Sequence, residues 1–448
     1  MKKIKIVFIL CFLVMLALPV LYMNTEENAV SEIDNTMLPE IDFESKVKTS
    51  DIDKYISKRI GFYDEAITSY ITLNDKMFGE MVHPTYTYGK DGYVFFKLTN
   101  EKVDVEFIDA FCNYLSRMQE YCESRGIPFI YCINPSKTTL YTDYLPEGYN
   151  YRNEFLEVLY QKLEQYNINY ISNVELLAEK AKTEQVYNVK YDAGHWNDLG
   201  AFYGTNNLLN KVSEYFPTVK EHKLEDFNVS TKMEASLPVS KFIINEEVPV
   251  FTCKDHKGIW QHSSEYKTLT LRYPHEFFKY YKNTKRYEDG DLPRVLFFHG
   301  SYYIRNTAFY DCSFKETYAV HNYQNIVNLE YYINIFKPEC VILETAEYAT
   351  TRRYFDIDKL VEKQLNPNFD SVKEIEHTEF KLSDIPYEER NNDMIYSAII
   401  NVEGDYSYGY LETDGYVYDL IPSSGSFYCI VSQKSKVQVK RGTVHLYK

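Results

Sequence analysis

The stretch FIDAFCNYLSRMQEYCESRGIPFIYCINP, residues 107–135, reads as two elements in succession. Phe107, Phe111, Leu115, Met118 and Cys122 recur every three or four residues and line one face of a helix. Gly126 stops that helix, and IPFIYCINP is a short, uninterrupted apolar strand closed by Pro135. A strand apolar on both sides belongs to a parallel sheet covered on both faces by helices.

The alternation continues outward. A helix at about 151–166 leads to the strand INYIS (168–172), and a third helix precedes VKYDAGHWNDLGAFYG (Val189–Gly204). Leu199, Phe202, Leu209, Val212 and Phe216 then carry helical spacing, with Asn197 or Asp198 as the N-cap. PRVLFF (293–298) is another buried-strand run, and NIVNLEYYINIF followed by ECVILETAE is again helix then strand. Residues 100–385 are therefore expected to form one α/β domain. Residues 390–448 differ, with short alternating runs such as YSYGYLE, YVYDLI and FYCIVS broken by Asp-Gly and Ser-Gly, which predicts a small antiparallel β unit.

Before the α/β domain, Lys2, Lys3 and Lys5 precede an uncharged apolar run from Ile6 to Met23, long enough to cross a bilayer. No small-x-small cleavage site follows, so residues 1–23 read as an uncleaved signal anchor with the body outside; a cleaved signal peptide is the alternative. Residues 24–99 are a lead-in: an irregular juxtamembrane linker, helical spacing through Ile52, Ile56, Ile60, Ile67 and Ile71, and a strand pair turning at Asp91-Gly92. The expected location is a single-pass protein of the cell membrane with an extracytoplasmic catalytic body.

The chain of 448 residues carries a net charge of -16, which argues against nucleic acid as a partner and against a polybasic grip on anionic lipid. Eight cysteines form no CxxC pair, and the seven outside the apolar leader exclude a complete disulfide framework. No structural zinc motif is present, and no metal or cofactor is expected.

Two segments carry chemistry. In YDAGHW, Asp192 stands three residues before His195, close enough to hold the Nδ1 proton and leave Nε2 as a base. In RVLFFHGSYYIRN, a buried strand ends, Gly300 permits a tight turn, and Ser301 follows at the carboxyl end where sites of open parallel sheets form. Each segment alone is more readily a capped turn or a plain Gly-Ser turn.

Together they resemble the alginate O-acetyltransferase (AlgX/AlgJ-like) family with its SGNH hydrolase-like domain. The resemblance also takes in YISKRIGFYDEAI (55–67), GKDGYVFF (89–96), NPSKTTLYTDYLP (134–146) and KPECVILETAEY (337–348), all in the family's order. Asp192 and His195 precede Ser301, the permuted order of that family. Two departures stand out: Asp-x-x-His-Trp in place of Asp-x-His-Trp, and Gly300 where the family has Asp or Thr before the serine. The resemblance implies a three-layer α/β/α SGNH-like fold. It implies Ser301, His195 and Asp192 as catalytic residues of an enzyme that acetylates hydroxyls of a cell-envelope or exported polysaccharide through an acetyl-serine. A membrane-bound acyltransferase partner would supply the acetyl groups. Lys137 and Tyr141, at the family's Lys and Tyr positions, are candidate substrate-binding residues, with a core-edge role as the equal alternative. Trp196 is a candidate to stack on a sugar ring, though a packing anchor under the loop is the stronger reading. Arg305 is a candidate for an anionic sugar, though a solvated helix surface is the stronger reading. Alternatives are a carbohydrate acetylesterase using the same triad and a non-catalytic polysaccharide-binding or assembly protein, the latter suggested by Gly300.

Overall fold

The computed structural model describes residues 2–27, 29–31, 33, 36–41, 47–98, 102–149, 151–238, 240, 242–254, 259–261, 278–284, 292–389, 395–402, 404–423, 425–432 and 439–448. The apolar leader forms α1 (Lys2–Leu21), the one helix among the described residues long and apolar enough to cross a membrane. α2 (Thr49–Arg59) and α3 (Tyr63–Phe78) divide what reads in sequence as continuous helical spacing. The break lies at Ile60-Gly61-Phe62, where a Cβ on Gly61 would stand 2.6 Å from the Cβ of Tyr22, just past α1. The buried Arg59 guanidinium donates to the carbonyls of Glu26 (2.8 Å) and Pro39 (2.7 Å), and Gly61 N donates to Pro19 O (2.8 Å). The RIGF segment thus grips the end of the apolar helix. β1 (Tyr86–Tyr88) and β2 (Val94–Phe96) follow, paired antiparallel around a turn with Asp91 and Gly92 at positive φ.

The α/β part begins with α4 (Val105–Glu123), β3 (Phe129–Asn134), α5 (Lys137–Leu140), α6 (Glu154–Gln165), β4 (Tyr170–Ser172), α7 (Val174–Ala181) and α8 (Asp198–Ser213). A long hairpin, β5 (Phe227–Ser236) and β6 (Ile243–Cys253), precedes the short β7 (Ile259–Gln261) and β8 (Phe278–Asn283). β9 (Arg294–His299) runs into α9 (Ser301–Arg305) and α10 (Thr307–Asp311), then β10 (Glu316–His321), α11 (Leu329–Phe336) and β11 (Cys340–Ala346). The sheet order is β4-β3-β11-β9-β10-β8-β7. Its first five strands are parallel, and β8 and β7 are antiparallel additions at one edge. Alternation along β3 explains the two-sided burial: Tyr131 and Ile133 join one core with α4, α6 and α11, while Ile130 and Cys132 join another with α8 and α10.

After α12 (Ile357–Glu362) and α13 (Phe369–Val372) comes a second, wholly antiparallel sheet of β12 (Thr378–Leu382), β13 (Tyr387–Glu389), β14 (Ile395–Asn401), β15 (Tyr408–Glu412), β16 (Val417–Ser423), β17 (Ser426–Ser432) and β18 (Gly442–Tyr447). Its order is β12-β18-β15-β16-β17-β14-β13, so the β unit starts at Thr378, inside the stretch that sequence pattern assigned to the α/β domain. It packs on the first part rather than hanging from it. Asp419 in β16 accepts from Tyr121 Oη (2.6 Å) and Arg125 Nη2 (2.9 Å) on and just beyond α4, and its backbone bonds Asn334 of α11. The thiols of Cys112, Cys122 and Cys132 are buried, whereas Cys253 and Cys312 bring their Sγ atoms to 2.9 Å. Two of the seven cysteines outside the leader therefore stand as a pair that sequence spacing does not reveal.

Candidate active site

Asp192 lies on the loop between α7 and α8 with a left-handed backbone (φ 57°), a conformation Asp adopts more readily than most residues. That conformation curls the carboxylate back over the loop, where Oδ1 accepts from Gly194 N (3.2 Å) and His195 N (3.1 Å). The His195 ring lies alongside, with Nδ1 at 2.8 and 2.9 Å from the two Asp192 oxygens. A carboxylate only accepts, so Nδ1 carries the proton and Nε2 presents its lone pair. Nε2 stands 2.7 Å from Ser301 Oγ, the first residue of α9. Residues 106 positions apart are thus brought into one hydrogen-bonded chain.

Burial opposes ionisation of Asp192, but the His195 ring bonded to it, the Arg305 charge and the amide N–H groups outweigh it and hold the carboxyl at about 2. His299, one turn of strand before the serine, is buried, and burial lowers its imidazole to about 3; its Nδ1 donates to Gly300 O (2.9 Å). It is a neutral core residue.

Gly300 has a steric cause. A Cβ there would sit 1.7 Å from the hydroxyl oxygen of Tyr323, so that phenol leaves no room for a side chain at position 300.

The other expected site residues are arranged differently. Lys137 is fully buried, donating to Val94 O (2.8 Å) and Val189 O (2.7 Å), and burial lowers its ammonium to about 7. Tyr141 is buried too, its hydroxyl accepting from Val186 N (3.2 Å). Trp196 is buried with its ring edge against Tyr302, and Nε1 donates to Asn306 Oδ1 (3.2 Å). None of these three presents a surface to a ligand; each holds backbone or packs the floor of the site. Arg305 is 40% exposed, but its guanidinium is engaged by Asp192. A free anion-binding role for Arg305 is replaced by an ion pair that supports the triad acid.

Several residues that matter carried no sequence signal. Glu246 of β6 accepts from three successive amides, Val189 N (2.7 Å), Lys190 N (2.8 Å) and Tyr191 N, directly before Asp192. Lys137 holds the carbonyl of Val189 from the other side, so the loop is clamped at both backbone poles. Tyr348 lies near Ser301, and burial raises its phenol, keeping it protonated. Tyr302 Oη donates to Pro135 O (2.7 Å) and Gly194 O (2.5 Å), tying the end of β3 to the histidine loop. Asn306 Nδ2 donates to Asp198 Oδ1 (3.1 Å), joining the serine segment to α8. Tyr348 lay within KPECVILETAEY, but only as a residue after a strand; Glu246 has no motif around it.

No protein-family model matches the chain, and no curated protein sequence matches it. Solved structures do. PatB1 of Bacillus cereus with a sulfonyl adduct is 17% identical, with a TM-score of 0.46 over 59% of this chain and 96% of PatB1. The O-acetyltransferase domain of Pseudomonas putida AlgJ is 14% identical, with a TM-score of 0.42 over 63% of this chain and 100% of that domain. Pseudomonas aeruginosa AlgX is 11% identical, with a TM-score of 0.39 over 81% of this chain and 90% of AlgX.

Proposed function

We propose that the protein is a membrane-anchored, extracytoplasmic O-acetyltransferase that acetylates hydroxyls of a cell-envelope or exported polysaccharide. The observation that carries this reading is the hydrogen-bonded chain Asp192–His195–Ser301, 2.8 Å then 2.7 Å, at the carboxyl end of β9 in a mainly parallel sheet. The motif order across the chain supports the SGNH-like, permuted assignment.

The chemistry follows from the atoms. His195 Nε2 removes the Ser301 proton as Oγ attacks the acetyl carbonyl of an ester or thioester donor. The tetrahedral oxyanion collapses, the donor's oxygen or sulfur leaves with the proton from His195, and an acetyl-serine remains. A sugar hydroxyl then attacks, His195 takes its proton, and the released Oγ recovers a proton from His195. Ionised Asp192 stabilises the imidazolium in both halves. The amide of Ser301, at a helix start where N–H groups lack intrahelical partners, is a donor available to the developing oxyanion. α1 would fix the body at the outer membrane surface, where a membrane-bound acyltransferase partner delivers acetyl groups.

Water in place of the sugar hydroxyl would make the same site an acetylesterase. Both readings require Ser301→Ala and His195→Ala to abolish acetyl release from a chromogenic acetyl ester while circular dichroism and melting temperature stay unchanged. Acetyl transfer from that ester to an added oligosaccharide by the wild type, read by mass spectrometry, is the expected result. Release to water alone would leave the esterase, and a folded Ser301→Ala protein that retains turnover would overturn the catalytic assignment.

A further inference from the structure

On the outer edge of the second sheet, away from the triad, β12 and β18 place three side chains on one face. Glu379 is the cross-strand partner of His445, and His377 stands two residues before Glu379, on the same side by strand alternation. His377 Nε2 lies 3.0 Å from His445 Nδ1, and Glu379 Oε2 lies 3.8 Å from each of those nitrogens. These donor atoms all fall within 4.8 Å of one another.

The outer ring nitrogens decide the protonation of the inner ones. His377 Nδ1 is 2.7 Å from Ile375 O, and a carbonyl only accepts, so Nδ1 bears the proton. His445 Nε2 is 3.0 Å from Glu412 Oε2, and a carboxylate only accepts, so Nε2 bears the proton. In two neutral rings the facing nitrogens, His377 Nε2 and His445 Nδ1, are then both lone pairs at hydrogen-bond distance. Two lone pairs so placed repel unless a cation stands between them. Packing fixes the rings in this attitude: His377 stacks on Tyr447 with centroids 4.8 Å apart, and His445 packs against Phe369 at 4.9 Å.

A single shared proton would satisfy the two nitrogens but leaves the equidistant Glu379 oxygen without a part. A metal ion uses all three. Imidazole, imidazole and carboxylate are zinc ligands at about 2.0–2.2 Å, and the outer Ile375 carbonyl and Glu412 carboxylate are the hydrogen-bond acceptors that zinc-bound histidines require. Glu379 is 63% exposed, so the fourth position opens to water. Glu379 and Glu412 against the single ammonium of Lys373, 3.6 Å from Glu412, leave the cluster negative and attractive to a cation.

We propose that His377, His445 and Glu379 form a binding site for a divalent cation of the zinc class, which clips the edge strand β12 to β18. The site is independent of the acetyl-transfer reading. It escapes sequence inspection because the two histidines are separated by most of the β unit, with no metal-ligand spacing.

The test uses the full chain in detergent micelles, without a polyhistidine tag, stripped with a chelator and titrated with zinc alone against a chromogenic zinc indicator. The wild type is expected to bind one zinc per chain at micromolar concentration or below, and to melt at a higher temperature when zinc is present. His377→Gln should abolish both effects, and Glu379→Gln should weaken binding by about tenfold or more. Glu379 is exposed and His377 less buried than His445, so the test survives if His445→Gln fails to fold. A wild type that binds no zinc at about a hundredfold higher concentration, with melting governed by pH alone, would show a shared proton and overturn the proposal. Unchanged binding in both variants would do the same, since the metal would then sit elsewhere.

Discussion

At the residue scale, the triad depends on backbone placement as much as on side chains. Asp192→Asn preserves the volume and most hydrogen bonds, but an amide nitrogen facing the ring turns the imidazole to the wrong tautomer. The expected loss in kcat on a chromogenic acetyl ester is about 10⁴-fold, the size of effect known for this substitution in a serine-protease triad. Because the folded carboxyl is held at about 2, below its unfolded value of about 3.9, ionised Asp192 stabilises the fold. That contribution is complete above pH ~4 and is lost as pH falls through ~2, so Asp192→Asn should flatten this part of the acid-unfolding curve. Glu246 acts only through the loop it holds. Glu246→Gln removes the charge from three amide contacts, and a small displacement of Asp192 and His195 should lower kcat by up to about 10²-fold with KM nearly unchanged. A parallel fall in melting temperature without a change in kcat would mean that Glu246 serves stability alone.

At the element scale, the α/β part carries buried ionisable groups, one in the central strand β11 and one at the end of α10, whose states are set by burial. Glu344 in β11 is buried, one oxygen bonded by Asn134 Nδ2 (2.5 Å) and the other without a partner among the described residues. Burial raises its carboxyl to about 8, and burial likewise raises Asp311 to about 8. A folded-state value raised above the unfolded one means that the native state holds the extra proton. Stability is therefore full below pH ~4 and declines as pH rises toward ~8, by about 1.4 kcal/mol per pH unit for each such group. Urea unfolding at pH 5, 6, 7 and 8 should show the decline, and Glu344→Gln should remove about half of it. A slope identical in wild type and variant would mean that Glu344 is ionised or hydrated in the fold. The motif strands themselves are legible in sequence because two-sided burial forces unbroken apolar runs, as in Phe129–Ile133 and Val295–Phe298. β5 and β6 are not, because β5 is mostly exposed, so the alternation of Phe227, Val229, Met233 and Ala235 marks no buried face.

At the scale of the whole molecule, the two sheets are joined by a buried polar knot. Asp419 accepts from Tyr121 and Arg125, and the Arg125 guanidinium also donates to Pro367 O (2.9 Å) and stacks 3.7 Å over the Tyr121 ring. Asp419→Ala would leave Arg125, only 16% exposed, without its counter-charge, at a cost of about 3–5 kcal/mol. A fall in denaturation midpoint of the whole chain, by tryptophan fluorescence and circular dichroism together, is expected. A second transition confined to the β unit would instead show that the sheets unfold separately. This junction also accounts for the boundary: residues 378–385 read as the end of the α/β domain because the alternating pattern is clear only further along the chain, while pairing of β12 with β18 is a contact between chain segments far apart.

What the amino-acid order determined by itself is whatever local periodicity and side-chain chemistry carry. These are the apolar α1, the alternation of helix and two-sided strand, a cap for α8 at Asn197 or Asp198, which the structure assigns to Asn197 (Oδ1 accepting from Gly200 N at 3.0 Å), and Ser301 at a strand end. Tertiary structure alone decided the rest. It brought Ser301 to His195, gave the space beside Gly300 to Tyr323, turned Lys137, Tyr141 and Trp196 inward, paired Arg305 with Asp192, set Glu246 under the loop and gathered His377, Glu379 and His445. The reason is physical: these contacts join residues tens to hundreds of positions apart, and their geometry is set by packed layers and strand register, which no local pattern encodes.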